Sequence, residues 1–166
     1  NDPVNEIIHL GTMKQDTIIT DDARDTVYAR DSHDTVFTGR HADTLYGEGG
    51  NDELYGEQGN DLISGGSGND QLAGGLGSDF LLGDKGNDRL NGGSENDLLF
   101  AGTGNDYLET SNGADILIGG QGNDHYKIDS STAMVLLNKG DGQDQLEITE
   151  QLDELTVSLG GGIAVT

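Results

Sequence analysis

Cysteine and tryptophan are absent, lysine and arginine together number 8, and no apolar run approaches membrane-spanning length. Without cysteine the chain can form neither disulfides nor thiolate metal sites, which fits a secreted protein and a cytosolic one equally well. Only 32% of residues are hydrophobic, and the net charge is −23. In a chain without pattern that balance leaves too little apolar surface to offset conformational entropy, and the chain stays disordered. So acidic a surface argues against nucleic acid and anionic membranes as partners. No EF-hand loop, H-E-x-x-H pair, Walker loop or Rossmann fingerprint occurs. No signal peptide is visible and the first residue is Asn1, so the segment is expected to belong to a larger protein.

What the chain has in quantity is glycine, 28 residues, and its glycines are periodic. From Gly47 to Lys127 it reads GEGGNDELY, GEQGNDLIS, GGSGNDQLA, GGLGSDFLL, GDKGNDRLN, GGSENDLLF, AGTGNDYLE, TSNGADILI and GGQGNDHYK, nine nonapeptides without insertion or deletion. Aspartate is always sixth and a large apolar residue always eighth. The series runs backwards at the same spacing through Asp43, Asp34, Asp25 and Asp16. The eighth position holds Ile18, Val27, Val36, Leu45, Leu54, Ile63, Leu72, Leu81, Leu90, Leu99, Leu108, Leu117 and Tyr126. One slot filled in this way throughout predicts a solenoid.

Six turn residues and a three-residue strand are too short for an ordinary hairpin. Stacking resolves this if two nonapeptides form one coil, so that residues 18 apart lie about 4.8 Å above one another. Consecutive aspartates then fall on opposite edges of a flattened roll. One column holds Asp52, Asp70, Asp88, Asp106 and Asp124, the other Asp61, Asp79, Asp97 and Asp115. Carboxylates so close repel strongly unless a cation lies between them. The donors on offer are all oxygen, from aspartates and from carbonyls of a flexible glycine-rich turn, and hard oxygen donors suit Ca²⁺ better than Mg²⁺ or Zn²⁺. Asn-Asp and Gly turns also reverse a chain without any metal. Were that their only task, the sixth position would vary, and it does not.

These residues and spacings resemble the repeats-in-toxin (RTX) family of secreted bacterial proteins. The resemblance implies an all-β fold, a parallel β-roll with a small C-terminal β cap, and Ca²⁺ held between turns of alternate repeats. It implies about seven ions, between Asp52/Asp70, Asp61/Asp79, Asp70/Asp88, Asp79/Asp97, Asp88/Asp106, Asp97/Asp115 and Asp106/Asp124. The turn glycines expected to assist through their carbonyls are Gly47, Gly50, Gly56, Gly59, Gly65, Gly66, Gly68, Gly74, Gly75, Gly77, Gly83, Gly86, Gly92, Gly93, Gly102, Gly104, Gly119, Gly120 and Gly122. Two loops depart from the pattern: Glu95 replaces a turn glycine, and Thr110-Ser111 replace a pair. Weaker sites are expected there.

Three parts follow. Residues 1–46 read as degenerate coils after a short edge strand near Ile7 and Ile8. Their turns lack the glycines, are expected to adopt another conformation, and bind few or no ions. His9 has no partner pattern, and a zinc pair from His33 and His41 lacks a third ligand. Residues 47–127 form the calcium-binding roll. Residues 128–166 lose the period but for one echo, GDGQDQLEI, and suggest a small terminal sheet near Gly160 to Gly162.

Alternation points Leu62, Phe80, Leu82, Leu98, Phe100, Ile116 and Ile118 out of the roll. The expected cover is the segment after Lys127 folded back over them, with self-pairing of two copies as the alternative. The function expected is a non-enzymatic module that stays unfolded during type I secretion and folds in extracellular calcium, as part of a toxin, adhesin or secreted enzyme. A polysaccharide-binding or adhesive module at the cell surface is the alternative. Ice binding lacks its threonine ladder, since the third position is irregular.

Overall fold

The computed structural model describes residues 6–20, 22–129, 132–137, 142–149 and 154–159. Its strands, in order, are β1 (Glu6–Leu10), β2 (Thr17–Ile19), β3 (Arg24–Tyr28), β4 (Thr35–Phe37), β5 (Thr44–Gly49), β6 (Glu53–Gln58), β7 (Leu62–Ser67), β8 (Gln71–Leu76) and β9 (Phe80–Lys85). There follow β10 (Arg89–Ser94), β11 (Leu98–Thr103), β12 (Tyr107–Thr110), β13 (Ala114–Gln121), β14 (His125–Ile128), β15 (Thr132–Leu137), β16 (Gln145–Ile148) and β17 (Glu154–Leu159). Odd strands form a nine-stranded parallel sheet and even strands an eight-stranded one, each in chain order. The pairing register is the predicted one: Leu54 lies beside Leu72, and Leu81 between Ile63 and Leu99.

The core is one residue wide. Alternation within each strand turns the eighth residue inward, and from Val27 to Tyr126 every such side chain is fully buried. Between the two sheets these residues form a single apolar stack that also takes in Ala29, Ala101, Ile128 and Val135. The flanking residues of each strand point outward and differ between sheets. On the even strands they are mostly polar, with Glu109 bonded to both Arg89 (2.9 Å) and Lys127 (2.5 Å) and Tyr107 stacked on His125. On the odd strands Leu62, Phe80, Leu98 and Ile116 form one column and Leu82, Phe100 and Ile118 a second, all half-buried.

Two expectations about the ends need correction. Among the described residues the segment after Lys127 does not fold back over this apolar face. Strands β15 and β17 instead join the edge of the same sheet, Ile116 beside Met134 and Val135 beside Val157, while β16 extends the other sheet beside β14. The coils simply lengthen: Tyr126 pairs with Leu146, 20 residues on, and Val135 with Val157, 22 on. The longer loops destroy the nonapeptide period while the strands keep their register. No separate terminal sheet forms among the described residues, and Gly160 to Gly162 lie outside them. The outer face of the odd strands is therefore uncovered by any described residue.

The second correction concerns the N-terminal turns. In the glycine-rich loops the second and fourth residues have positive φ, as at Glu48 (70°) and Gly50 (143°). Arg30 (82°), Ser32 (107°), Gly39 (89°) and His41 (88°) hold the same two places in the loops before Asp34 and Asp43. Non-glycine residues pay a steric cost there. The stacked register imposes the turn nonetheless. Strand β1, as expected, is an edge strand beside β3.

Candidate metal centre

Each sixth-position aspartate sits where a strand begins, its side chain turned into the roll. From Asp25 to Asp124 these side chains are at most 3% exposed. One oxygen of each has a fixed partner: the Asp52 amide donates to Asp70 Oδ1 at 2.8 Å, and the Asp70 amide to Asp88 Oδ1 at 2.8 Å. The other edge repeats this, from Asp61 to Asp79 at 2.8 Å and from Asp79 to Asp97 at 2.9 Å. The two columns of the sequence are thus two ladders of amide-to-carboxylate bonds, one on each edge. Both extend into the N-terminal coils, where the Asp34 amide donates to Asp52 and the Asp43 amide to Asp61.

The second oxygen has nothing. Oδ2 of Asp25, Asp34, Asp43, Asp52, Asp61, Asp70, Asp79, Asp88, Asp97, Asp106 and Asp124 is buried without a hydrogen-bond partner. An orphaned buried acceptor is costly, and an ionised one more so. Burial accordingly raises the proton affinity of these groups. Asp52, Asp61, Asp88 and Asp97 are pushed up to about 7, with the stacked carboxylates adding to burial and the amide bond opposing it. Asp43, Asp79, Asp106 and Asp124 are pushed up to about 6, again chiefly by burial.

The orphaned oxygens face small cradles. At Gly47 the place a Cβ would occupy has Asp52 Oδ2 and the Gly65 carbonyl oxygen each 2.5 Å away. At Gly83 the corresponding place has Asp88 Oδ2 at 2.6 Å and the Ala101 carbonyl oxygen at 2.5 Å. Gly56, Gly65, Gly74 and Gly92 likewise face the Oδ2 of their own repeat. A carboxylate and a carbonyl converging on one point, with only oxygen donors near, is the donor set that a hard divalent cation takes. Side chains alone do not complete it. Among the described residues no three His, Asp or Glu side chains gather at one point. The His33/His41 pair is likewise not brought together, because their successive loops lie on opposite edges.

Some roles escaped the sequence. The recurring fifth-position asparagines form an outer ladder, with the Asn69 amide donating to Asn51 Oδ1 (2.8 Å) and the Asn87 amide to Asn69 Oδ1 (2.7 Å). His33 heads that ladder, its Nδ1 accepting the Asn51 amide at 2.7 Å. His9, expected to be unpartnered, has Nε2 3.1 Å from Asp25 Oδ1. Asp144 takes the place after Asp124, accepting its amide at 3.0 Å across the lengthened coil. The echo GDGQDQLEI was its signal. The loop opened by Thr110 differs as expected from the others, since the Thr110 hydroxyl donates to Asp115 Oδ2.

A family model for the RTX calcium-binding nonapeptide repeat matches the chain in four copies, over residues 10–45, 37–72, 64–99 and 91–126. No curated protein matches the chain. No described helix is long and apolar enough to cross a membrane.

Proposed function

Since the chain belongs to the RTX calcium-binding nonapeptide repeat family, we propose that it is a structural module that folds on calcium outside the cell and has no catalysis of its own. The observation that carries this reading is the row of buried, unpartnered Oδ2 atoms along both edges of the roll. Asp52, Asp61, Asp70, Asp79, Asp88, Asp97, Asp106, Asp115 and Asp124 supply the carboxylates, in the seven stacked pairs, and the turn glycines supply carbonyls. A bound divalent cation neutralises the stacked carboxylates and gives each orphaned oxygen a partner.

What the chain's own residues contribute is preorganisation. The amide-to-Oδ1 bonds fix each carboxyl rotamer, leaving Oδ2 aimed at its cradle. The eighth-position stack holds the two edges apart at constant spacing. Seven divalent ions would carry the formal charge from −23 to about −9. At free calcium near ten times Kd, each site adds roughly 1.4 kcal/mol. Seven such terms sum to on the order of 10 kcal/mol, comparable with the whole stability of a domain. Folding and binding are then one process.

The physiological sense follows from calcium levels. Sites of extracellular modules work at about 10⁻⁴–10⁻³ M, far above cytosolic calcium. The chain would cross a type I secretion channel extended and self-repelling, then fold on arrival as part of a larger exported protein. Circular dichroism of the isolated chain in EGTA and in millimolar CaCl₂ tests this. A mostly unfolded spectrum in chelator and a cooperative β spectrum with calcium are expected, with Mg²⁺ a poor substitute. A β spectrum indifferent to chelation would defeat the reading.

A further inference from the structure

We propose that Thr38 closes an otherwise complete calcium site between Asp43 and Asp61, and so sets where the metal-binding part of that edge begins. The inference rests on reading the aspartate ladders as calcium sites.

Apart from residue 38, the features of this place match those of the pairs further along. The Asp43 amide donates to Asp61 Oδ1 at 2.8 Å, as the Asp61 amide does to Asp79 Oδ1. Both carboxyls are 2% exposed, and Oδ2 of each lacks a partner. The turn has the same left-handed residues, Gly39 (φ 89°) and His41 (φ 88°), where the next loop on that edge has Glu57 (69°) and Gly59 (151°). The missing glycines of this loop therefore do not disqualify it.

What differs is the first residue of the repeat. At Gly56, one coil further on, the space a Cβ would fill opens onto Asp61 Oδ2, with the Gly74 carbonyl oxygen 2.9 Å from the same point. At residue 38 that space holds a threonine. Its hydroxyl donates to the Gly56 carbonyl oxygen at 3.2 Å and has a longer contact, 3.4 Å, with that of Tyr55. The same hydroxyl also faces the Asp43 carboxylate and lowers its proton affinity, which puts it in the cradle before Asp43. A cation that needs six or more oxygens around it finds the space filled and one carbonyl already engaged.

The same residue type recurs at both ends of this edge and nowhere between. One coil earlier the Thr20 hydroxyl donates to the Thr38 carbonyl oxygen at 3.0 Å. At the far end Thr110 donates to the Asp115 carboxylate itself. Between Thr38 and Thr110 the position holds Gly56, Gly74 and Gly92, whose cradles are open. Beyond Thr110 comes the buried Ile128, and the aspartate place passes to Ala133, paired with Asp115. The edge thus runs from hydroxyl-filled coils to open ones, back to a hydroxyl, and then to hydrocarbon.

The test is a count of bound calcium by equilibrium dialysis and elemental analysis on the full chain. Wild type, Thr38→Gly, Asp43→Asn and the double variant are compared at saturating calcium, with folding followed by circular dichroism. Asparagine keeps the Oδ1 acceptor for the Asp25 amide while removing the charge. One additional ion is expected in Thr38→Gly, lost again in the double variant, with Asp43→Asn alone equal to wild type. An unchanged count in folded Thr38→Gly overturns the proposal, as does loss of an ion in Asp43→Asn alone. Should Thr38→Gly not fold, Asp43→Asn decides by itself: an unchanged count upholds the closed site. A wild type that binds no calcium would instead defeat the calcium reading on which the proposal stands.

Discussion

The coils of residues 11–46 and those of residues 47–127 share a backbone but differ in what the backbone encloses. Both turn their aspartates inward and bond them in the same amide-to-Oδ1 ladder, and the loops before Asp34 and Asp43 hold their second and fourth residues at positive φ as the glycine-rich ones do. In the central coils the first residue is mostly glycine and a cradle lies open before Oδ2. In the earlier ones it is Thr20, Ala29 or Thr38, after a Gly11 whose Cβ place is closed by the Ala29 backbone instead of opening onto a carboxylate. The difference teaches that the shape of the roll and its capacity for metal are written in separate positions. Stacking register and the inward residues fix the first. The residue opening each repeat controls the second.

The largest break in this comparison comes from a central carboxylate. Asp88 stacks between Asp70 and Asp106 and serves two pairs, whereas Asp25 lies in a coil whose cradle holds Thr20. Asp88→Asn should raise the calcium midpoint of folding several-fold, since each lost site removes roughly 1.4 kcal/mol or more. Asp124→Asn should do so less, and Asp25→Asn hardly at all. A calcium titration by circular dichroism ranks the three, and equal shifts would contradict the stacked pairing.

A smaller effect comes from closing one cradle. Gly74→Thr puts before Asp79 the side chain that Thr38 puts before Asp43, against Asp79 Oδ2 and the Gly92 carbonyl oxygen. Overpacking of this kind costs about 1–3 kcal/mol, and one ion should be lost from the bound count. If the variant binds as many ions as wild type at the same midpoint, the cradles are not where the metal lies.

Proton dependence sharpens the comparison further. In the metal-free roll Asp52, Asp61, Asp88 and Asp97 stand at about 7, above the ordinary 3.8. A folded-state value above the unfolded one gives stability that is complete below pH 4 and lost as pH rises through about 6 to 7. In chelator the chain should therefore gain β structure between pH 7.5 and pH 4. With calcium the order reverses, because protons compete for the same oxygens. Circular dichroism across that range in EGTA checks the sign. No change with pH would mean that the carboxylates are not buried in the metal-free state.

Much of this was legible in the sequence because a solenoid repeats its local physics. The spacing of Leu54, Leu72 and Leu90 fixes the coil length, and alternation within each strand fixes which side chains enter the core. The bond from each aspartate amide to the next carboxylate was not legible, since it joins residues 18 apart through the backbone of one and the side chain of the other. Nor were the turns at Arg30, Ser32 and His41, where register overrides the preference for glycine. The C-terminal strands escaped for a third reason. Coils of 20 and 22 residues keep their strands in register while their loops break the count that reveals a repeat.

Hydrogen exchange of the full chain, read peptide by peptide with and without calcium, tests the central claim most directly. The strands between residues 47 and 127 pair with those of the neighbouring coils, so protection of their amides reports stacking. The account predicts strong protection of this segment in millimolar calcium and almost none in chelator at neutral pH, with all of its coils gaining protection together. Protection of residues 47–127 that is equal in EGTA and in calcium would contradict it.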